Sequence, residues 1–210
     1  MRNIFVTGIA TDAGKSVVAA ILVQALGADY WKPVQAGDLH NSDTIKVKRL
    51  VSNETAVFYP ETYRLSQPMS PHAAAAIDGV EISTNKIAQE LEALKPEPKN
   101  LVIEGAGGLM VPLNSEELIV DLIAKLGVEV VVVLKNYLGS INHSLMTLEL
   151  LKQRGINVLG VIFNGETNTE SEKYILEYSG VKCLGRIPYA IELSSEFIRE
   201  QSHQFVRSIR

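Results

Sequence analysis

Lys15 and Ser16 close the stretch T-G-I-A-T-D-A-G-K-S at residues 7–16, whose residue types suit the handling of a polyphosphate. Glycines let backbone N–H groups turn inward around phosphate oxygens, and a helix starting here adds its positive dipole end. Lys15 can then reach β- and γ-phosphates, while the Ser16 hydroxyl can hold Mg²⁺. Five residues separate Gly8 from Gly14 where four are usual, and Ile9 stands where the first glycine would be. A Gly-Lys-Ser triplet alone is uninformative. Its weight comes from apolar Ile4-Phe5-Val6 before it and the apolar-periodic residues 17–26 after it. Strand, glycine-bounded loop and helix is the order a phosphate site needs; the alternative is a plain strand–helix turn.

Further candidates follow other apolar runs. Lys32, in W-K-P-V-Q-A-G, is either a surface lysine or a second cation for a transferring phosphoryl group, and Pro33 favours the latter by restricting Lys32 to extended backbone. Glu104 ends Leu101-Val102-Ile103 and opens E-G-A-G-G. A carboxylate there is either exposed on a tight turn or met by a cation such as Mg²⁺, with the glycines letting backbone approach a ligand. Asp43, in N-S-D-T, reads equally as a helix-capping acid or a Mg²⁺ ligand. Residues 135–143 lead into a helix start able to hold a carboxylate or phosphate, where His143 is a general base or a structural hydrogen-bonder. Asn164-Gly165 is a turn or an adenine-edge contact. His72 stays unassigned, and His40 and His203 point to nothing.

The elements that must position these residues alternate. Strands are expected at residues 2–6, 29–34, 100–103, 129–134, 158–163 and 183–187, with helices at 15–26, 43–50, 83–94, 116–126, 140–155 and 168–180. Ser83 and Ser140 are expected caps, and Pro96 stops a helix before a Pro96-Glu97-Pro98 loop. Continuous apolar runs such as residues 130–134 fit parallel strands covered on both faces. The expectation is a doubly wound, mainly parallel α/β sheet flanked by helices, a single domain over residues 1–210, with ligands beyond the carboxyl ends of the strands.

Composition narrows the function. With 46% hydrophobic residues in a 210-residue chain, a sizeable core is available. A net charge of −4 without a long basic run argues against nucleic acid as a principal partner. Cys183, the only cysteine, excludes an intrachain disulfide framework and is expected as a small buried thiol. No export leader opens the sequence and no apolar run approaches the ~20 residues of a membrane span, so a cytoplasmic protein is expected.

Taken in order, T-G-I-A-T-D-A-G-K-S, W-K-P-V-Q-A-G, N-S-D-T, S-P-H-A-A, E-G-A-G-G-L-M-V-P-L, L-G-S-I-N-H, F-N-G and G-R-I-P-Y closely resemble the dethiobiotin synthetases over nearly the whole chain. The resemblance implies a homodimeric P-loop NTPase-type enzyme, using ATP, Mg²⁺ and CO₂ or bicarbonate to close a ureido ring on 7,8-diaminononanoate. An amine takes up CO₂ as a carbamate, ATP phosphorylates the carbamate, and the second amine expels phosphate. By the same resemblance Lys32 holds the carbamate and the transferring group, Thr11 bonds that region, and Lys15 meets the β/γ-phosphates. Ser16, Asp43 and Glu104 match Mg²⁺ ligands. Asp12, Ala13, Gly14 and Val17 wrap the triphosphate with Lys15 and Ser16, joined by Gly105, Ala106 and Gly107. Asn164, Ile187, Pro188 and Tyr189 meet the adenine. Gly139, Ser140, Ile141 and Asn142 match the segment that binds the substrate's carboxylate tail across the dimer interface.

Three departures mark this chain. The family loop G-T-D-T-x-V-G-K-T carries a Thr and an Asp where this one has Ile9 and Ala10. Ala36 replaces a substrate-touching hydroxyl, a loss of about 1 kcal/mol. The tail beyond Tyr189 matches poorly. Two rivals differ in testable ways: a partitioning-type ATPase switch has no need of Lys32 or the Gly139–Asn142 segment, and an amidotransferase-related amide ligase would need a reactive cysteine.

Overall fold

The computed structural model describes residues 2–94 and 99–209; the Pro96-Glu97-Pro98 loop lies outside them. Six parallel strands form the main sheet: β1 (Asn3–Gly8), β2 (Asp29–Trp31), β5 (Leu101–Glu104), β6 (Glu129–Lys135), β7 (Val158–Asn164) and β8 (Cys183–Ile187), in the order β2-β5-β1-β6-β7-β8. The period-2 alternation of side chains divides the core. Ile4, Val6, Tyr30, Val102, Val131 and Val133 face α1 (Lys15–Leu26), α2 (Asp43–Leu50) and α8 (Ser195–Ser208). Phe5, Trp31, Ile103, Val130 and Val132 face the opposite layer, which includes α3 (Pro71–Asp78), α4 (Thr84–Ala93), α5 (Ile119–Leu126), α6 (Ser140–Gln153) and α7 (Thr169–Ser179). β1 lies between β5 and β6, so the chain leaves its carboxyl end at the point where strand order reverses, the place where such sheets bind ligands.

Several local expectations change. The strand expected at residues 29–34 is two strands: β2 ends at Trp31, and β3 (Val34–Ala36) pairs in a second small parallel sheet with β4 (Tyr63–Leu65). Pro33 has no N–H to continue the first ladder, while its carbonyl accepts from Tyr63 N at 3.0 Å. Helix α5 starts at Ile119 rather than residue 116, because Leu113 N bonds Glu117 O and the Asp121 carboxylate accepts from Leu118 N. Gly139, left-handed at φ 97°, caps α6 in place of Ser140, whose hydroxyl accepts from Tyr137 N. Ser83 caps α4 as expected. Cys183 is exposed, since it opens the edge strand β8. Helices α3 and α8 were not anticipated.

Candidate active site

Beyond the carboxyl ends of β1, β2 and β5 lies a cavity of about 1050 Å³. The phosphate loop forms its floor through Thr11, Asp12, Gly14, Lys15, Ser16 and Val17. Gly14 is left-handed at φ 99°, and a Cβ there would stand 2.1 Å from Asn164 Nδ2. That amide donates to Ala13 O at 2.9 Å, so Asn164 props the loop from the end of β7. Ala13 is buried behind the loop. Lys15 folds over its own turn, donating to Ala10 O at 3.0 Å, and Ile9 packs on the core, which gives both apolar departures a structural place.

Lys32 and Glu104 meet because of register. Trp31 pairs with Ile103, bringing Lys32, just past β2, level with Glu104, the last residue of β5. Lys32 Nζ donates to Glu104 Oε1 at 3.2 Å and Gly105 O at 3.3 Å, and lies 2.8 Å from Asp43 Oδ2. Ser16 Oγ donates to Glu104 Oε1 at 2.8 Å, and Tyr30 Oη to Glu104 Oε2 at 2.8 Å. Burial disfavours the charged Lys32, but Glu104 and Asp43 outweigh it and hold its pKa above the ordinary lysine range. Lys15 goes the other way, lowered by burial and by Lys32 despite Glu104.

Asp43 is the first residue of α2, and the capping is done by Ser42, whose hydroxyl accepts from Ile45 N. The Asp43 carboxylate is thus free to face the cavity. Burial raises its pKa less than Lys32 and Lys46 lower it. Gln35 Oε1 accepts from Asp43 N at 3.2 Å, and Glu61 Oε1 accepts from Ser42 Oγ and Thr44 Oγ1 at 3.0 and 2.8 Å. Ser16, Asp43 and Glu104 present only oxygen donors, the two carboxylates paired with the Lys32 ammonium and the Ser16 hydroxyl bonded to Glu104. That donor set fits a hard divalent cation such as Mg²⁺, which keeps several ligand positions for water and phosphate.

Ala36, Ala106 and Gly107 also line this cavity, and Gly105 lends it the carbonyl that Lys32 bonds. The remaining candidates do not. Ile187 is buried in the core beside α1 and α8, Pro188 and Tyr189 are exposed beyond β8, and Gly139 and Asn142 are exposed at the start of α6, with Ser140 buried and Ile141 half-buried. His143 bonds Tyr137 Oη at 2.7 Å outside the cavity. Sequence reasoning missed Tyr30, Gln35, Lys46 and Glu61. Tyr30 carried one usable signal, its place two residues before Lys32 on the same strand face.

A family profile described as an AAA domain matches residues 2–196. The ATP-dependent dethiobiotin synthetase BioD of Christiangramia forsetii is 49% identical over 205 residues, covering 97% of this chain and 96% of the relative. The chain belongs to the dethiobiotin synthetase family. The BioD of Cytophaga hutchinsonii is 44% identical over 198 residues, 94% of each chain. The architecture of this dethiobiotin synthetase family member is shared more widely: a chain of the MinC:MinD cell division protein complex of Aquifex aeolicus aligns with a TM-score of 0.59 at 16% identity, covering 100% of this chain and 94% of that one. The Mg-ADP complex of MinD from Pyrococcus horikoshii aligns at 0.58 and 16%, covering 99% and 92%. At that identity the likeness is one of fold alone.

Proposed function

We propose that the chain is an ATP- and Mg²⁺-dependent ligase of biotin biosynthesis that closes the ureido ring of dethiobiotin from 7,8-diaminononanoate and CO₂, releasing ADP and phosphate. The observation that carries the reading is Lys32: a buried ammonium between two carboxylates, at the mouth of a phosphate loop, in a chain 49% identical to a dethiobiotin synthetase. One domain over residues 1–210 carries the nucleotide and reacting centre, in the cytoplasm and without nucleic-acid or membrane partners. Among the described residues no helix is long and apolar enough to cross a membrane.

One substrate amine bonds to the carbon of CO₂ and loses a proton, giving a carbamate. A carbamate oxygen then attacks the γ-phosphorus as the bond to ADP breaks. The second amine attacks the carbonyl carbon and gives up a proton, phosphate leaves with the C–O bonding pair, and the ring closes. No enzyme nucleophile is needed; alignment and charge neutralisation are. Lys32 holds the carbamate and the phosphoryl oxygens that gain charge, with Thr11 beside it. Lys15 turns from Ala10 O to the β/γ-phosphates. Backbone N–H groups from Asp12 to Val17 enclose the triphosphate, with Gly105, Ala106 and Gly107 on its other side. Ser16, Asp43 and Glu104 would hold Mg²⁺, which when bound would supply charge neutralisation for the phosphates. Asn164 and residues 187–189 meet the adenine, and Ala36 flanks the diamine. Gly139, Ser140, Ile141 and Asn142 of a second copy of the chain receive the substrate's carboxylate tail, so the working unit is a homodimer.

The test is phosphate release measured with ATP and Mg²⁺ while each co-substrate is withheld in turn. Release that needs the diamine and CO₂ together is expected. Equal release with either omitted would mark an ATPase switch and overturn the reading.

A further inference from the structure

We infer that Tyr30 is a positioning residue for this reaction: its hydroxyl, donated to Glu104 Oε2 at 2.8 Å, orients the carboxylate so that Oε1 faces Ser16, Lys32 and the cavity. The inference rests on Glu104 as a Mg²⁺ ligand. Glu104 is 1% exposed, so an Oε2 without a donor would be a buried unsatisfied acceptor. The terminal torsion of a glutamate is broad, and one hydrogen bond to one oxygen removes that freedom. A tyrosine is suited to the task because it donates without bringing charge, leaving the carboxylate's full negative charge for a cation.

The ring itself is held tightly. Tyr30 is fully buried; its N–H donates to Val57 O and its carbonyl accepts from Tyr59 N, both at 2.9 Å. Phe58 packs on it with ring centroids 5.9 Å apart. Strand β2 is therefore tied on one side to β5 and on the other to residues 57–59, and the hydroxyl projects from a backbone held on both sides. Outer partners of metal ligands act in this manner: they fix ligand direction, and their loss costs roughly 10–100-fold in metal affinity or activity.

The test is Mn²⁺ binding to the ADP complex of the full chain, read by electron paramagnetic resonance, for the unaltered protein, Tyr30→Phe, Glu104→Gln and Phe58→Leu. Tyr30→Phe is expected to weaken Mn²⁺ binding roughly 10-fold while leaving metal-free ADP affinity and the diamine KM unchanged. Phe58→Leu, which keeps the hydroxyl and loosens only the packing, is expected to lower Tm and leave Mn²⁺ affinity within about 2-fold. Mn²⁺ weakened by Glu104→Gln but untouched by Tyr30→Phe overturns the inference and leaves the ligand assignment standing. Mn²⁺ untouched by Glu104→Gln overturns the ligand assignment itself. Equal losses in Phe58→Leu and Tyr30→Phe reduce Tyr30 to packing. Should Tyr30→Phe not fold, the buried, hydrogen-bonded Tyr30 hydroxyl proton of the unaltered protein is followed by NMR. A shift on adding Mg²⁺ to the ADP complex supports the inference; a stationary signal overturns it.

Discussion

The carboxyl ends of β2 and β5 and the segments beyond β6 and β8 are built to opposite plans. At the first, every charged group already has protein partners: Lys32 bridges Glu104, Asp43 and Gly105 O, while Ser16 and Tyr30 complete Glu104. At the second, Leu138 and Ile191 are almost wholly exposed, and Gly139 caps α6 with no side-chain hydrogen bond. The contrast teaches a division of labour. The half proposed to transfer the phosphoryl group has its charged groups paired within one chain before anything binds, whereas the half proposed to receive tail and base presents exposed backbone and apolar surface.

The largest effect breaks the self-contained half. Lys32→Gln is expected to lower turnover on the order of 10²–10³-fold while ATP affinity, measured by calorimetry, stays largely intact. A collapse of ATP affinity with a normal saturated rate would contradict the role. The second test breaks the incomplete half: Asn142→Asp sets a negative charge where the tail carboxylate is proposed to dock, and is expected to raise the diamine KM and spare the nucleotide KM. Mixing refolded Asn142→Asp and Lys32→Gln chains should then restore part of the activity, because a hybrid dimer holds one site with both segments intact; no recovery means each site is built by one chain.

Smaller effects sharpen the comparison. Glu61, whose side chain is 3% exposed, accepts from Ser42, Thr44 and Arg64 and so fixes the start of α2. Glu61→Ala leaves those donors short and is expected to cost about 1–3 kcal/mol in denaturant unfolding, with a lower kcat/KM through Asp43. The smallest effect lies away from both regions. Burial raises the Glu117 carboxyl, but hydrogen bonds from Lys125, Thr84 and Asn114 outweigh it and bring its pKa to about 2. A depressed carboxyl pKa contributes stability above the unfolded value and loses it below. The Tm advantage over Glu117→Gln should therefore be full above about pH 4.5 and fade as pH falls towards 2.

What was legible in the sequence follows the same division. Central strands such as β6 and β7 could be read because continuous apolar runs mark parallel strands. Lys32 and Glu104 could be read because they follow apolar residues at strand ends, and Lys15 because it closes a glycine-bounded loop between a strand and a helix. The small β3–β4 sheet escaped because three-residue strands carry no periodic signal, and α3 because an alanine run after Ser70-Pro71 shows no amphipathic contrast. Tyr30 and Glu61 act through partners distant in the chain, Glu104 for the first and Ser42 and Thr44 for the second, whereas Gln35 bonds nearby Gly37 O and Asp43 N, contacts that residue type alone does not reveal. Cys183 was misjudged because residue type does not reveal that its strand lies at an edge.

The Lys32 ammonium has three protons and three acceptors, Glu104 Oε1, Asp43 Oδ2 and Gly105 O. Any substrate oxygen that engages it must therefore enter by exchange rather than addition. Gly105 O, the most distant at 3.3 Å and the only uncharged one, is the partner whose release disturbs the local charge least. If Lys32 acts as proposed, the backbone carbonyl of Gly105 thus marks the place an incoming oxygen would take, and a more basic acceptor there would compete with it.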